Sequence, residues 1–442
     1  MAGQIILALA ILVTLHELGH FAAARMFGIK VEKFYLFFDA WGVKLFRFKK
    51  GDTEYGIGWL PLGGYVKIAG MVDESMDTEQ LKKAPEPWEF RSKPAWQRLI
   101  VMIGGVTVNL VLGIFIFIMA TWYYGEEKLP VDKIQYGIHA EEVGRNISLQ
   151  DGDQVVGVNG VRVKYFDELK KPSVFLNTGN YYDVIRNGET IRIPLPDDIL
   201  DQISDKKNSL FEPRMPCEVD SVPVDKKAKT KSPAEKIGLK KGDRIIGLND
   251  TAIAYYHEFS ERIIHYAGKK VNLRVERGGD TLNFTPVIDK SGKLGFVPAV
   301  YYKNDLEVFK YTLGQSIPLG TSKSFEALGD NIVGMKKLVT GKLDPRKSVQ
   351  GPIGIATLFG SDWVWERFWA LTALLSLILA FMNLLPIPAL DGGHVVFLIV
   401  EMIIRRPLSD KFMQVMQVIG MVILLSLMVF AFGNDIYKIF TK

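Results

Sequence analysis

The chain has 442 residues, enough for about two to four structural units, with 48% hydrophobic residues and a formal net charge of +5 at pH 7. The charge is mild and comes without a long basic tract, which argues against nucleic acid as a partner. Cys217 is the only cysteine, so an intrachain disulfide and a thiolate zinc site are excluded, and any bound metal must be held by histidine and carboxylate side chains.

The apolar residues are concentrated in segments that each approach membrane-spanning length. These segments are residues 4–27, 96–123, 366–390 and 411–432. A helix needs about 20 predominantly apolar residues to cross a bilayer. Between the second and third segments lies a polar stretch of about 240 residues, which is typical of a water-soluble insert. The pattern therefore predicts a membrane protein with an α-helical core of four spans.

The first span carries three ionisable side chains near its middle, His16, Glu17 and His20, in the order H-E-L-G-H. Ionisable groups at that depth are costly, so a membrane segment seldom carries three without a function. The i, i+4 spacing places both imidazoles on one face of a helix, where they can share one metal ion. Glu17 is placed to take a proton from a metal-bound water. The working hypothesis is a zinc site inside the bilayer.

Three other interpretations of this segment compete with the zinc site. The short H-E-x-x-H pattern also occurs by chance in unrelated chains. The histidines could instead be hydrogen-bonded across a helical bundle. A signal peptide ending near residues 22–24 is disfavoured, because no basic region precedes the apolar run and His-Glu interrupts it. The zinc interpretation therefore requires a third ligand elsewhere in the chain.

Residues 31–70 are rich in aromatic residues but too often broken by glycine and proline to span the membrane as a helix. Two strands are predicted, at 43–48 and 54–60, joined by a turn at 49–52. Non-helical backbone approaches a bilayer only where protein or water covers it. We therefore expect a membrane-associated β-hairpin that folds back toward the candidate site and offers a free edge strand. A plain cytoplasmic hairpin is the alternative.

The second span contains small and polar residues that suit contact with another helix. Gly104 and Gly105 permit close helix approach, and Asn109 can hydrogen-bond a neighbouring segment. Lysine and arginine residues cluster in the loops 28–95 and 391–410. By the positive-inside rule these loops are cytoplasmic, and both chain termini and the large insert lie on the outer side.

The insert contains an internal repeat, since residues 149–160 (LQDGDQVVGVNG) align with residues 239–250 (LKKGDRIIGLND) at a shift of 90 positions. Each copy reads as a Gly-Asp turn, a short apolar strand and an Asn-containing turn. The repeat resembles PDZ domains, in which a strand and a helix form a groove for an extended peptide. Two unrelated hairpins are the alternative.

The predicted organisation has a membrane core at each end of the chain and two PDZ-like domains of α+β or β-barrel type between them. A hinge between these two domains is expected at 197–210, and helical amphipathic periodicity follows them. The predicted parts are an N-terminal membrane core 1–124, PDZ-like domains 125–205 and 206–292, connecting helices 293–362, and a C-terminal membrane core 363–442.

A second ionisable cluster follows the third span, where Pro386 and Pro388 break the helix just before Asp391. Asp391 supplies the carboxylate that the two histidines of the first span lack, giving a His₂Asp set with an open position for water. Asp391 could instead cap the short helix predicted at 394–404. His394 could be a fourth ligand, although a histidine so near the ligand more often supports it or faces solvent.

H-E-L-G-H in the first span, together with N-L-L-P-I-P-A-L-D-G-G-H after the third, resembles the site-2 protease family of intramembrane zinc metalloproteases. The tandem repeat and the P-L-G-G-Y-V stretch resemble its bacterial regulator-of-sigma-E protease branch. The resemblance implies that His16, His20 and Asp391 ligate one zinc ion. It also implies that Glu17 is the general base and that Asn383 holds the substrate backbone.

One departure from the family concerns the second span. The family often has a Gly-Pro pair before the asparagine of this span, whereas here Gly105-Val106 precedes Asn109. The departure affects the expected local helix geometry and leaves the expected chemistry unchanged.

The resemblance implies a protease of the bacterial inner membrane that cleaves transmembrane segments of single-span proteins, such as anti-sigma-factor-like substrates or signal-peptide remnants. Such a substrate must unwind locally, because a transmembrane helix hides its peptide bonds in its own hydrogen bonds. The PDZ tandem would exclude substrates with bulky outer domains that have not been trimmed, or would bind the trimmed ends. We expect the predicted strand 54–60 to pair with the unwound segment through Tyr55, Gly56, Ile57, Gly58 and Trp59.

Two other functions compete with the protease. One is a membrane-anchored PDZ scaffold with a structural or vestigial metal site, and a weaker one is a transporter that relays protons through intramembrane histidine and glutamate. A structural zinc site is usually closed by four protein ligands, whereas this ligand set leaves one position open beside Glu17. The sequence therefore favours the protease.

Overall fold

A computed structural model describes residues 1–61, 63–71, 84–206, 209–223 and 231–440. The described chain divides into two units: unit 1 is formed by Met1–Glu126 with Lys310–Lys442, and unit 2 by Glu127–Phe309. Unit 1 collects the apolar segments from both ends of the chain, and unit 2 contains most of the polar insert.

Unit 1 begins with two long apolar helices, α1 Ala2–Met26 and α2 Ala95–Tyr124. A helix satisfies its backbone hydrogen bonds internally, as an apolar segment in a bilayer must. The two helices meet where Gly19 faces Gly104, since a Cβ atom on Gly19 would lie 2.4 Å from the Gly104 carbonyl oxygen. The prediction that Gly104 permits close helix approach is confirmed.

Between these helices the chain forms a sheet from β1 Val31–Leu36, β2 Lys44–Lys50, β3 Thr53–Gly58 and β4 Tyr65–Ile68. The strand order is β2–β3–β1–β4. β2 is antiparallel to β3, β3 is parallel to β1, and β1 is antiparallel to β4. The predicted hairpin is therefore present as β2 and β3, but it is part of a larger sheet.

The prediction that strand 54–60 offers a free edge is wrong, because β3 is paired on both sides. Tyr55 of β3 pairs with Phe34 of β1 and with Phe48 of β2. The strand ends at Gly58, and Leu60 forms only an isolated bridge. The sequence analysis predicts no strand at 31–36 and so misses the parallel partner. Within the described sheet, the outer edges belong to β2 and β4.

Unit 2 contains two successive core clusters, and we call the first part module 1 (residues 127–214) and the second module 2 (residues 215–299). The elements of module 1 are β5 Glu126–Lys128, β6 Ile138–Ala140, α3 Glu142–Asn146, β7 Gln154–Val158, β8 Val161–Arg162, α4 Pro172–Leu176, β9 Tyr181–Arg186, β10 Glu189–Pro194, α5 Ile199–Lys206 and β11 Phe211–Pro213. Its main sheet has the order β10–β9–β7–β8, and β11 pairs with β6.

Residues near the expected domain boundary pack into module 1. Ile199 of α5 is fully buried in the module 1 core, so the described residues of the expected hinge 197–210 contribute to a packed helix. Leu210 and Phe211 are buried in the same core, and β11 pairs with β6. Module 1 therefore extends beyond residue 206, where the sequence analysis begins the second domain.

Module 2 repeats this construction. Its elements are β12 Val219–Ser221, α6 Pro233–Lys236, β13 Arg244–Leu248, β14 Thr251–Ala252, α7 Tyr256–Ile263, β15 Leu273–Arg277, β16 Asp280–Phe284 and β17 Val297–Pro298. Its main sheet has the order β14–β13–β15–β16, which matches β8–β7–β9–β10 of module 1. The two sequence repeats thus occupy equivalent places in two similar sheets.

Each copy of the repeat contains a buried aspartate that is paired with an arginine of the same module. In module 1, Arg186 donates two hydrogen bonds to Asp153, both 2.7 Å long. In module 2, Arg277 donates two to Asp243, both 2.6 Å long. Both aspartates are at most 1% exposed. The aspartate of the Gly-Asp pattern therefore forms a charge-assisted, two-bond ion pair in each module.

The chain leaves unit 2 through β18 Glu307–Phe309, which pairs with β5, and returns to unit 1 as helices. These are α8 Leu313–Val339, α9 Pro345–Ser348, α10 Pro352–Leu358, α11 Trp365–Leu384, α12 Asp391–Ile404 and α13 Asp410–Phe440. Among the described residues, four helices are long and apolar enough to cross a membrane: α1, α2, α11 and the Lys411–Lys438 part of α13. The four-span prediction is confirmed.

α12 is the exception among the apolar helices of the C-terminal part. It has 14 residues, which correspond to about 21 Å at 1.5 Å per residue. The hydrocarbon core of a bilayer is about 30 Å thick, so α12 is too short to span it. It instead carries Asp391 at its first position, next to the end of α11.

Candidate metal centre

His16 and His20 lie one turn apart on α1, and both side chains are buried. The His20 Nδ1 lies 2.8 Å from the backbone carbonyl oxygen of Val101 on α2. A carbonyl oxygen only accepts, so His20 donates its proton from Nδ1 and keeps the lone pair on Nε2. The packing of α1 on α2 thereby selects the tautomer in which Nε2 can bind a metal.

His16 is oriented in the same way by Asn109 of α2. Its Nδ1 lies 3.2 Å from the Asn109 side-chain nitrogen, and Asn109 is only 1% exposed. The Asn109 Oδ1 has no hydrogen-bond partner within the described part of the chain. A half-turn of the amide brings Oδ1 against the imidazole, where it accepts the Nδ1–H and satisfies both groups. His16 then also presents Nε2 as a lone-pair donor.

Asp391 reaches the two histidines from the far end of the chain. α11 ends at Leu384, the chain turns through two prolines, and α12 begins at Asp391. The N-cap of α12 is Leu390, with no side-chain capping hydrogen bond. The capping alternative for Asp391 is therefore not what the structure shows, and its carboxylate points to α1 instead.

The Nε2 atoms of His16 and His20 and the Oδ2 atom of Asp391 form a nearly equilateral triangle. Its edges are 3.2, 3.2 and 3.3 Å. Zinc bound tetrahedrally at about 2.0–2.1 Å separates neighbouring ligand atoms by about 3.3–3.4 Å. Hydrogen bonds alone do not account for this arrangement, because one proton can bridge only one edge of the triangle. In addition, Asp391 Oδ2 has no hydrogen-bond partner among the described residues. The donor set fits a zinc ion with a fourth position left for water or substrate.

Gly105 of α2 leaves the space that the two imidazoles occupy. A Cβ atom at this position would lie 2.4 Å from His20 Nε2 and 2.6 Å from His16 Cε1. Any larger side chain would push the rings away from Asp391. The sequence analysis assigns Gly105 to helix packing and misses this contact. The contact could have been inferred from the sequence, because Gly105 lies one turn before Asn109 on the same face of α2.

Glu17 and Asn383 add a carboxylate and an amide to this centre. Glu17 follows His16 on α1, is half-buried, and interacts electrostatically with His20. Asn383, near the end of α11, places its side-chain nitrogen 3.3 Å from His16 Nε2. The arrangement can hold a metal ion, polarise a bound carbonyl group and move a proton beside it.

Residues 4–427 match the sequence profile of peptidase family M50. The chain belongs to this family. The regulator of sigma E protease of Haemophilus influenzae is 32% identical to it, over 99% of this chain and 98% of its own length. The regulator of sigma-E protease RseP of Escherichia coli is 30% identical over the same shares. A Neisseria meningitidis protein provisionally named a zinc metalloprotease is 28% identical over 98% of each chain.

This M50 peptidase is a zinc metalloprotease of the site-2 protease family, as the paired motifs predict. It acts on membrane-protein substrates in the bilayer. Its four candidate spans, counted over the described residues, and its RseP-like relatives support an inner-membrane protein.

The predicted substrate-binding residues 55–59, in and just after β3, make contacts other than with the triangle of ligand atoms. Tyr55 packs against Phe21, which follows His20 on α1, with ring centroids 6.1 Å apart. Trp59 donates its indole N–H to the Ala40 carbonyl oxygen at 2.9 Å. The three residues between them, Gly56, Ile57 and Gly58, are paired inside the sheet. Of the predicted substrate-binding residues, the structure brings only Asn383 to the triangle itself.

His394 lies buried on α12, one turn after Asp391. Its side chain bonds Gln417 of α13, and it is not part of the metal-ligand group found among the described residues. The structure therefore favours the alternative in which His394 supports the ligand-bearing helix over the one in which it is a fourth ligand.

Proposed function

We propose that this M50 peptidase hydrolyses peptide bonds within the transmembrane segments of single-span membrane proteins. In this proposal His16, His20 and Asp391 hold one zinc ion per chain, and Glu17 is the general base. The observation that carries the proposal is the triangle of ligand atoms, whose edges of 3.2–3.3 Å fit tetrahedral zinc. Its open fourth position lies in a membrane helix bundle, where only a membrane-embedded substrate has direct access.

Zinc held by His16, His20 and Asp391 would supply Lewis acidity to the scissile carbonyl and to the attacking water. Glu17 accepts a proton from the attacking water and delivers it to the nitrogen of the leaving amine. Asn383 donates its side-chain N–H to the substrate backbone beside the scissile bond. Asn109 and the Val101 carbonyl hold the two imidazoles in their tautomers, so that neither ring takes the transferred proton.

The substrate must be extended where it is cut, and its freed backbone groups need partners. Since β3 is internal, we assign this pairing to the outer edge of β4. The segment before β4 lies against α1, because a Cβ atom on Gly64 would be 2.9 Å from the Val13 side chain, one turn before His16. A strand added to β4 would therefore run beside the face of α1 that carries the ligands. Residues 55–59 then act indirectly, by holding the sheet together.

We further propose that modules 1 and 2 are PDZ-like domains that admit only substrates already trimmed on the outer side. The basic residues of the segments 28–95 and 391–410, which connect the candidate spans, support an orientation with these segments and the active centre toward the cytoplasm. Both termini and the modules then face outward from the bacterial inner membrane. The name regulator of sigma E protease, carried by two relatives, suggests anti-sigma-factor-like substrates, with signal-peptide remnants as a second class.

The test compares wild type, Glu17→Gln and the exposed control Glu326→Gln in detergent, with bound zinc and cleavage of a single-span substrate measured on the same samples. We expect about one zinc ion at the M50 centre in all three, and cleavage in wild type and the control alone. Cleavage that survives Glu17→Gln would remove the general-base assignment. Wild type that binds zinc without cutting any membrane substrate would favour the scaffold.

A further inference from the structure

A second group of metal-ligand side chains lies in unit 2. His139 on β6 and Asp151 in the loop before β7 belong to module 1, and His257 on α7 belongs to module 2. One ligand atom from each of the three lies within 4.8 Å of the other two. Among the described residues, this group and the M50 triangle are the two places where such side chains converge.

The Asp151 carboxylate is shared by the two histidines. Its Oδ1 accepts the backbone N–H of Ala140 at 2.8 Å and lies 2.9 Å from His139 Nδ1. Its Oδ2 lies 3.3 Å from His257 Nε2. The two imidazoles are stacked, with ring centroids 3.9 Å apart and planes inclined by 19°. Each ring therefore turns one nitrogen toward the same carboxylate, across the contact between the modules.

The group brings two imidazole nitrogens and one carboxylate oxygen within 4.8 Å of one another. Such a mixed nitrogen and oxygen donor set suits zinc, copper or nickel, because magnesium and calcium prefer oxygen ligands alone.

We propose that His139, Asp151 and His257 bind a divalent transition-metal ion, zinc in the first place, which joins module 1 to module 2. Glu261, one turn after His257 on α7, lies 3.7 Å from His139 Nε2, on the far side of that ring from Asp151. From there it can orient the ring as a carboxylate partner of the ligand. The side chains of Asp151 and Glu261 are 40% and 56% exposed, so an ion can enter from solvent.

The proposal does not depend on the proteolytic mechanism, and the test counts zinc ions in the full-length chain. Wild type, stripped with a chelator and dialysed against buffered zinc, is expected to bind two ions per chain. Asp151→Asn and the double variant His139→Gln/His257→Gln are expected to bind one. His265→Gln, which removes an exposed histidine of module 2 outside the group, is the matched control and is expected to bind two.

The module variants could also lose zinc because they fold poorly. A variant that lacks the M50 ligands and keeps both modules unchanged avoids this ambiguity. His16→Ala/His20→Ala is expected to retain one ion, which is then held at the module site alone. Wild type that binds a single ion overturns the proposal. So does a His16→Ala/His20→Ala chain that binds none, or an equal loss of zinc in His265→Gln and Asp151→Asn. Two ions in the His139→Gln/His257→Gln chain would place the second ion elsewhere and overturn it as well.

Discussion

Gly420 of α13 lies directly against the backbone of Pro388, so closely that a Cβ atom on Gly420 would stand 1.5 Å from the Pro388 carbonyl oxygen. Pro388 belongs to the short connection between α11 and α12, and Asp391 follows three residues later. The last membrane span thus sets the position of Asp391, the third residue of the proposed zinc site, although it contributes none of the three residues itself.

Gly420→Ala is therefore expected to shift this connection and move Asp391 away from the two histidines. Overpacking of this kind costs about 1–3 kcal/mol, which corresponds to a loss of roughly 5- to 150-fold in zinc affinity and cleavage rate if all of it falls on the site. Competition with a chelator and cleavage of a single-span substrate measure the two effects. Gly433→Ala on the same helix is the control, because its Cβ meets no described atom within 4 Å. Equal behaviour of the two variants would contradict the prediction.

Asn109→Leu is expected to weaken zinc binding by about 10- to 100-fold, because it removes the acceptor that fixes the His16 tautomer. Asn383→Leu provides the contrast. It leaves both ligand-orienting contacts in place, so zinc affinity should stay near that of wild type while cleavage falls. Zinc affinity from chelator titration and initial cleavage rates separate the two roles. Loss of zinc in Asn383→Leu alone would reverse the assignments.

Proline substitutions test the outer edge of β4. Adjacent residues of a strand direct their N–H groups to opposite sides, so one of Val66→Pro and Lys67→Pro removes an outward donor and spares the pairing with β1. That variant is expected to bind zinc normally and to lose cleavage of a membrane substrate. The control is whichever of Arg47→Pro and Phe48→Pro on the opposite edge, β2, removes an outward donor and spares the pairing with β3, and this variant should cleave normally. Loss confined to the β2 variant would move the substrate to that edge.

The buried pair of module 2 predicts a pH dependence of its stability. Burial acts to raise the pKa of Asp243, but the hydrogen bonds from Arg277 outweigh it, and the pKa lies below its ordinary value. A lowered carboxyl pKa stabilises the folded state above the unfolded pKa of about 3.9, and this stabilisation is lost as the pH falls through the folded pKa. Module 2 should therefore keep this contribution at neutral pH and lose it below about pH 4.

Asp243→Asn is expected to remove about 1–3 kcal/mol from the stability of module 2 at neutral pH and to flatten the acid dependence. Cys217 is the only cysteine and is fully buried in the module 2 core, so its labelling rate reports opening of that module. Asp220→Asn is the control, because Asp220 pairs with Lys241 on the surface and should change stability by less than about 0.5 kcal/mol. Faster labelling in Asp220→Asn than in Asp243→Asn would contradict the prediction.

Local sequence patterns predicted the elements whose causes are local. The apolar runs gave the four spans, and the spacing of His16 and His20 gave their common helix face. The repeat likewise anticipated two sheets of the same order. β1 was not predicted, because its parallel pairing with β3 depends on how the chain folds back across the sheet. The pairing with β1 makes β3 an internal strand. The side chains of Asn109 and His139 acquire their roles only from partners far away in the sequence, so no local pattern marks them.

The proposed ligand set of the M50 centre is divided between the two ends of the chain, with two of its residues in the first helix and the third at the start of α12. A ribosome that has made only the first span and the modules has produced His16 and His20 but not yet Asp391. The growing polypeptide therefore lacks the complete ligand set until the C-terminal membrane part is inserted. Because the proposed ligand set is incomplete until then, zinc-dependent cleavage by this chain is not expected before its C-terminal membrane part has been made.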